Sequence, residues 1–167
     1  MMAIKDFQVE RFSVTSSHSF QEVLRRIEHE VGQPNMASFR GDLAGATTYV
    51  DLAKVVERAV GPSGLMEFIR FDLGQILRKH SASHALHVVR LVIGNPLIMK
   101  ELVEQVPDAG SYAPVTILID ERPDGVHLSY DRMVSLLAGY NNERVLQVAR
   151  DLDAKVEWLL TRAAIAG

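Results

Sequence analysis

His87-Val-Val-Arg-Leu-Val-Ile-Gly-Asn-Pro-Leu-Ile-Met-Lys-Glu-Leu-Val-Glu-Gln-Val106 is the stretch on which the reading of this chain turns. His87 to Ile93 is rich in Val, Leu and Ile, the composition of a central strand covered on both faces. Gly94-Asn95-Pro96 stops that run, and an apolar pattern of helical period starts at Leu97. Pro96 suits the first helical position and Asn95 suits the cap before it. The segment therefore reads as strand, cap, helix.

Working toward the N-terminus, Leu65 to Phe71 reads as a second strand with Leu65, Ile69 and Phe71 on one face. Asp72 then caps a short helix over Leu73 to Lys79. Thr47 or Thr48 opens a helix buried through Ala53, Val56 and Val60 and closed by Gly61-Pro62. The stretch from Gln33 to Thr47 mixes Gly, Pro, Asn and Ser without a period and reads as a loop. Before it, alternation from Gln8 to Thr15 predicts a first strand. Ser19-Phe-Gln-Glu22 has capping-box spacing for a helix with Val23, Leu24, Ile27 and Val31 as its stripe.

Toward the C-terminus, Pro107-Asp-Ala-Gly110 has turn chemistry. Val115, Ile117 and Ile119 alternate with Thr116, Leu118 and Asp120, Val126, Leu128 and Tyr130 alternate again, and Pro123-Asp124-Gly125 joins the two runs. This is a hairpin signature. A short helix follows Asp131 through Leu137. A long helix then opens at Asn142, with Val145, Val148, Leu152, Val156, Leu159 and Ala163 on its apolar side. Arg144, Arg150, Asp151, Asp153 and Glu157 are expected on its wet side. A hairpin followed by a terminal helix argues against a doubly wound parallel sheet. The expected fold is α+β, with a largely antiparallel sheet of about five strands and helices on one face.

Composition narrows the function. A chain of 167 residues, 47% hydrophobic, fits one domain spanning residues 1–167. Its formal charge of −3 lacks the basic excess of a dedicated nucleic-acid binder. Tyr112, Tyr130, Tyr140 and Trp158 are too scattered for a base-stacking platform. No apolar window approaches a membrane span, and Met1 to Val14 has no signal-like apolar run, so a soluble cytoplasmic protein is expected. The absence of cysteine removes disulfides, thiolate metal sites and a cysteine nucleophile. Gly41 to Gly45 lacks the Lys-Ser/Thr of a phosphate loop, and there is no nucleophile elbow around a serine. No cofactor is implied.

The order of these features resembles the domain of unknown function 302 family. The carrying residues are the Ser19-Phe-Gln-Glu-Val23 helix start, Asp72 after the second strand, and Gly94-Asn95-Pro96. Pro107-Asp-Ala-Gly110, Pro114 opening a strand, and Gly125-Val-His-Leu-Ser-Tyr130 complete the set. The resemblance spans residues 9–164, and residues 33–61 look like an insertion relative to shorter members. It implies a compact domain of the TATA-binding-protein-like class, often a homodimer, and no established substrate. Some members have Cys where this chain has Gly94 and His where it has Leu73, so roles built on those groups are absent.

Two constellations carry chemistry. His80, His84 and His87 have ligand-like spacing only if they share a helix. The connector composition Ser81-Ala-Ser83 and the strand starting at His87 instead predict a solvated loop without a tight metal. Glu67, Asp72, Arg90 and Asn95 are the candidate ligand-binding residues. Arg90 interrupts an apolar strand, and a carboxylate beside it would hold an anion or orient a base; an ion pair or an exposed sheet face is the plainer account. Three functions remain: a non-catalytic small-ligand-binding or regulatory protein, an enzyme using Asp72 or Glu67 as general acid or base, or a structural homo-oligomeric interaction protein.

Overall fold

A computed structural model describes Met2, residues 4–80 and residues 87–165. Among these residues five strands form one sheet: β1 (Arg11–Ser16), β2 (Met66–Asp72), β3 (Val88–Gly94), β4 (Val115–Arg122) and β5 (Gly125–Asp131). Their order is β1-β5-β4-β3-β2, and every neighbouring pair is antiparallel. The expected α+β class, hairpin and terminal helix are all present. The first strand starts at Arg11, later than Gln8.

Seven α-helices accompany the described sheet: α1 (Phe20–Glu30), α2 (Met36–Gly45), α3 (Tyr49–Ala59), α4 (Gly74–His80), α5 (Pro96–Gln105), α6 (Met133–Leu137) and α7 (Glu143–Ile165). Their caps follow the sequence. Ser19 accepts from the amide of Glu22, Thr48 from Asp51, Asp72 from Gln75, Asn95 from Leu97, and Asn142 from Val145.

The main core lies between one sheet face and helices α1, α5 and α7. Leu91, Ile93, Ile117, Ile119, Leu128 and Tyr130 from the strands meet Val23, Ile27, Leu102, Val145, Val156 and Leu159 from the helices. Alternation along β4 and β5 follows directly from this one-sided burial. The other face of β3 is left open around Arg90, so the strand is not covered along both sides as its composition suggested. Arg90 is exposed there, and Val88 and Val92 are partly so. Continuous apolar character in β3 reflects a half-buried strand with valines on its open side.

The registers line up rows across that open face. One row runs Ser13, Ser129, Leu118, Arg90, Phe71, and another runs Thr15, His127, Asp120, Val88. The β1–β5 side is polar, and the β3–β2 side is apolar apart from Arg90. Leu65, Ile69 and Phe71 do not share one face: the bulge in β2 intervenes, Leu65 is buried in the main core, and Ile69 and Phe71 lie on this open face, 46% and 42% exposed.

The largest departure from the sequence reading is α2, which occupies the stretch read as a loop. Asn35 caps it by accepting from the amide of Ser38. Phe39 is its buried residue, with Met36 and Leu43 partly covered. Together with Val55, Val56, Ala59 and Met66 they form a second, smaller apolar cluster. Both ends of this excursion meet at Gly32 and Gly61, whose amides each donate 2.9 Å bonds to the carbonyl of Leu65. A Cβ at Gly32 would sit 2.0 Å from the carbonyl oxygen of Ala59, and one at Gly61 would sit 2.5 Å from that of Glu30. Only glycine allows two backbones to pass this closely.

Candidate functional site

The Gly94-Asn95-Pro96 junction builds an apolar site. Gly94 lies against Pro114; a Cβ there would meet the proline Cβ at 3.0 Å. Asn95 turns the chain into α5. Its Oδ1 accepts from the amide of Leu97 at 2.8 Å, and its Nδ2 donates to the carbonyl of Gly64 at 2.9 Å. Pro96 then starts the helix, and Ile98 and Met99 face inward beside it.

These residues are one wall of a pocket of about 160 Å³. Phe39 and Leu43 of α2, Phe68 of β2, Leu152 of α7 and Ala113-Pro114 complete its lining. The surface lining it is apolar throughout. Phe68 reaches it because β2 has a bulge between Glu67 and Ile69, so one extra residue is re-aimed out of the ladder. Asn95 lines this pocket with both halves of its amide already engaged.

The same bulge explains Glu67. Residues three apart in a regular strand point to opposite faces, yet Glu67 pairs with inward Ile93 and Arg70 with inward Leu91. They therefore meet: Arg70 donates to Glu67 at 2.9 and 2.7 Å and to Glu28 of α1 at 2.5 Å. Hydrogen bonding to Glu67 leads the effects that raise the Arg70 pKa, so this guanidinium stays charged. Asp72 is exposed, caps α4 and pairs with Arg78 at 2.8 Å. That guanidinium holds its carboxyl below the usual carboxylate range. Arg90 sits on the open face with its guanidinium 5.7 Å from the Phe71 ring centre. The four candidates thus divide among three places: Glu67 and Asp72 in separate ion pairs, Arg90 on the open face, and Asn95 at the pocket.

His87 Nδ1 lies 2.8 Å from Glu121 Oε2, and its ring stacks on Phe20 with centroids 5.0 Å apart. His84 lies outside the described residues, as does the side chain of His80. Among the described residues there is no group of three His, Cys, Asp or Glu able to hold a metal.

Sequence reasoning missed Asp153. Expected on the wet side of α7, it is instead completely buried. Its carboxylate accepts from Tyr130 Oη at 2.6 Å and from the amides of Met133 and Val134 at 2.7 and 3.1 Å. Arg132 Nε stands 3.9 Å away and also pairs with Glu157 and Glu10. Burial outweighs these donors and pushes the Asp153 pKa up; burial first, then the Asp153 charge, pushes up that of Tyr130. This node anchors α6, which walls a shallower groove of about 260 Å³ beside Arg11, Tyr112, Thr116 and Ser129. No periodic signal marks such a residue, since its partners are distant in sequence.

No helix among the described residues is long and apolar enough to cross a membrane. No curated protein matches the chain. A crystal structure of an uncharacterized conserved protein of the same type from Bacillus stearothermophilus is similar in fold, with a TM-score of 0.64 at 14% identity. The match covers 92% of this chain and 97% of that one. The sequence profile described as "Domain of unknown function DUF302" matches residues 44–163, well over half the chain and inclusive of α3. The chain belongs to that family.

Proposed function

We propose that this protein is a non-catalytic small-ligand-binding or regulatory protein whose ligand occupies the pocket at the Gly94-Asn95-Pro96 junction. The supporting observation is a concave, wholly apolar hollow of about 160 Å³ whose walls come from α2, β2, α5 and α7. Binding pockets are concave and mostly apolar, and a catalytic site additionally needs convergent polar groups. General acid or base chemistry at Asp72 or Glu67 has less support, because each is tied to an arginine and neither faces this pocket. Native mass spectrometry of the purified protein tests the reading. Retention of a small apolar molecule, lost in Leu43→Trp, is the expected result. A wild-type protein that neither retains nor takes up any small molecule would overturn it.

We also propose self-association through the open sheet face, with a second copy as the occupant. Ile69, Phe71, Val88, Val92 and Leu118 form an uncovered apolar area on it, of the kind that marks an interaction surface. Arg90 lies at the apolar end, and Asp131 at the polar end. A copy turned about a two-fold axis can set one against the other.

A further inference from the structure

We infer that the pocket takes an uncharged alkyl or aryl group and that α2 is the door through which it enters, an inference that rests on the ligand-binding reading above. The class of ligand follows from the lining. Phe39, Phe68, Met99 and Leu152 offer carbon and sulfur surface, and the one polar side chain present, Asn95, has its amide committed to Leu97 and Gly64. A charged or strongly hydrogen-bonding group placed there loses water and gains no partner. An apolar cavity of roughly 150 Å³ is enough for a benzene-sized guest.

The door follows from how the walls are held. β2, β3 and β4 are tied into the sheet ladder, and α5 and α7 pack into the main core. Among the described residues, the hydrogen bonds of α2 are local, from its Asn35 cap to its Ala46 end. Its apolar anchors among the described residues are Met36, Phe39 and Leu43, and two of these line the pocket. Two of its ten residues are glycines, Gly41 and Gly45, which weaken the helix itself. A Cβ built at either meets nothing within 4 Å, so neither glycine is there for packing. α2 is therefore the wall that yields most readily to a guest.

Methyl and amide NMR with toluene and benzoate as probes tests both parts. Toluene should shift the resonances of Leu43, Met99 and Leu152, and benzoate should leave them in place. Gly41→Ala/Gly45→Ala stiffens α2 without a clash and should slow toluene exchange at least threefold while the pocket shifts persist. Benzoate binding as well as toluene would overturn the ligand class and leave the pocket standing. Unchanged exchange in a double variant that still binds toluene would place the door elsewhere. A pocket that no probe perturbs would remove the ligand-binding reading itself.

Discussion

Tyr130 on β5 donates a 2.6 Å hydrogen bond to Asp153, a residue ten positions into α7 and fully buried there. The same carboxylate caps α6 from outside, since it takes the amides of Met133 and Val134. One side chain therefore joins the sheet, the short helix and the long helix. Asp153→Ala removes the shared acceptor of the Tyr130 hydroxyl and the Met133 and Val134 amides, leaving Met133 only its 3.2 Å bond to Tyr130 Oη, and should cost on the order of 3 kcal/mol. Asp153→Asn keeps the size and one carbonyl acceptor and should cost less. Urea unfolding of the two variants measures the difference; equal, near-zero losses would refute the role of this node.

The pH dependence of that node has a definite sign. Burial raises the folded pKa of Asp153 above its ordinary 3.8. Its contribution is then fully present below about pH 3.8 and is lost as pH rises through the folded pKa. Asp72 acts oppositely: its lowered pKa gives a contribution present above the ordinary value and lost on acidification. Subtracting the stability of Asp153→Asn isolates the first effect. The advantage of the wild type over this variant should shrink as the pH is raised above about 3.8 through the folded pKa, and a constant difference would contradict the assignment.

Asn95→Ala removes the α5 cap and the bond from Nδ2 to the Gly64 carbonyl together. The loss should be about 2 kcal/mol, above the roughly 1 kcal/mol of an ordinary cap. Asn95→Asp preserves the cap acceptor and should recover about half. Thermal or urea unfolding reads both. A near-neutral Asn95→Ala with altered ligand retention would reassign the residue from positioning to binding.

Phe39→Ala should loosen α2 and leave the main core folded, because Phe39 belongs to the smaller of the two apolar clusters. Hydrogen exchange should accelerate over residues 36–45 and stay slow in β3, β4 and α7. Cooperative loss of protection in both regions would show that the two clusters unfold as one.

Self-association through the open face should give a mass near twice the 18.6 kDa of one chain in light scattering. An apolar contact of this kind should survive high salt. Phe71→Asp places a charge in its apolar half and should yield monomers. A single-chain mass at every concentration would sink the proposal.

The fold was legible where periodicity and punctuation agreed. Gly94-Asn95-Pro96 marked a strand end and a helix start, and Pro123-Asp124-Gly125 joined two alternating runs. α2 was hidden because Gly41 and Gly45 interrupt a helix whose apolar anchors among the described residues are Met36, Phe39 and Leu43. The bulge at Phe68 was equally silent, since an extra residue leaves no mark on composition, yet it sets which face Glu67 occupies. Asp153 was misplaced for a different reason. A charged residue on a helix reads as solvated unless its partners are known, and these sit on β5 and α6, at least nineteen residues earlier. Of the pocket's lining, Asn95 was legible only as the cap before α5. The rest of the lining required tertiary contact.

The crossing of Gly32 and Gly61 makes the excursion between them detachable in principle. The chain leaves the domain and returns to almost the same point, where the amides of both glycines share the Leu65 carbonyl. A segment with coincident ends imposes little strain on its host, and lengthening or shortening it changes closure entropy only slowly. Segments of this kind can be gained, exchanged or trimmed while the scaffold stays fixed. What travels with this one is Phe39 and Leu43, so a scaffold without it would keep its sheet and α7 while presenting the Asn95 junction openly to water.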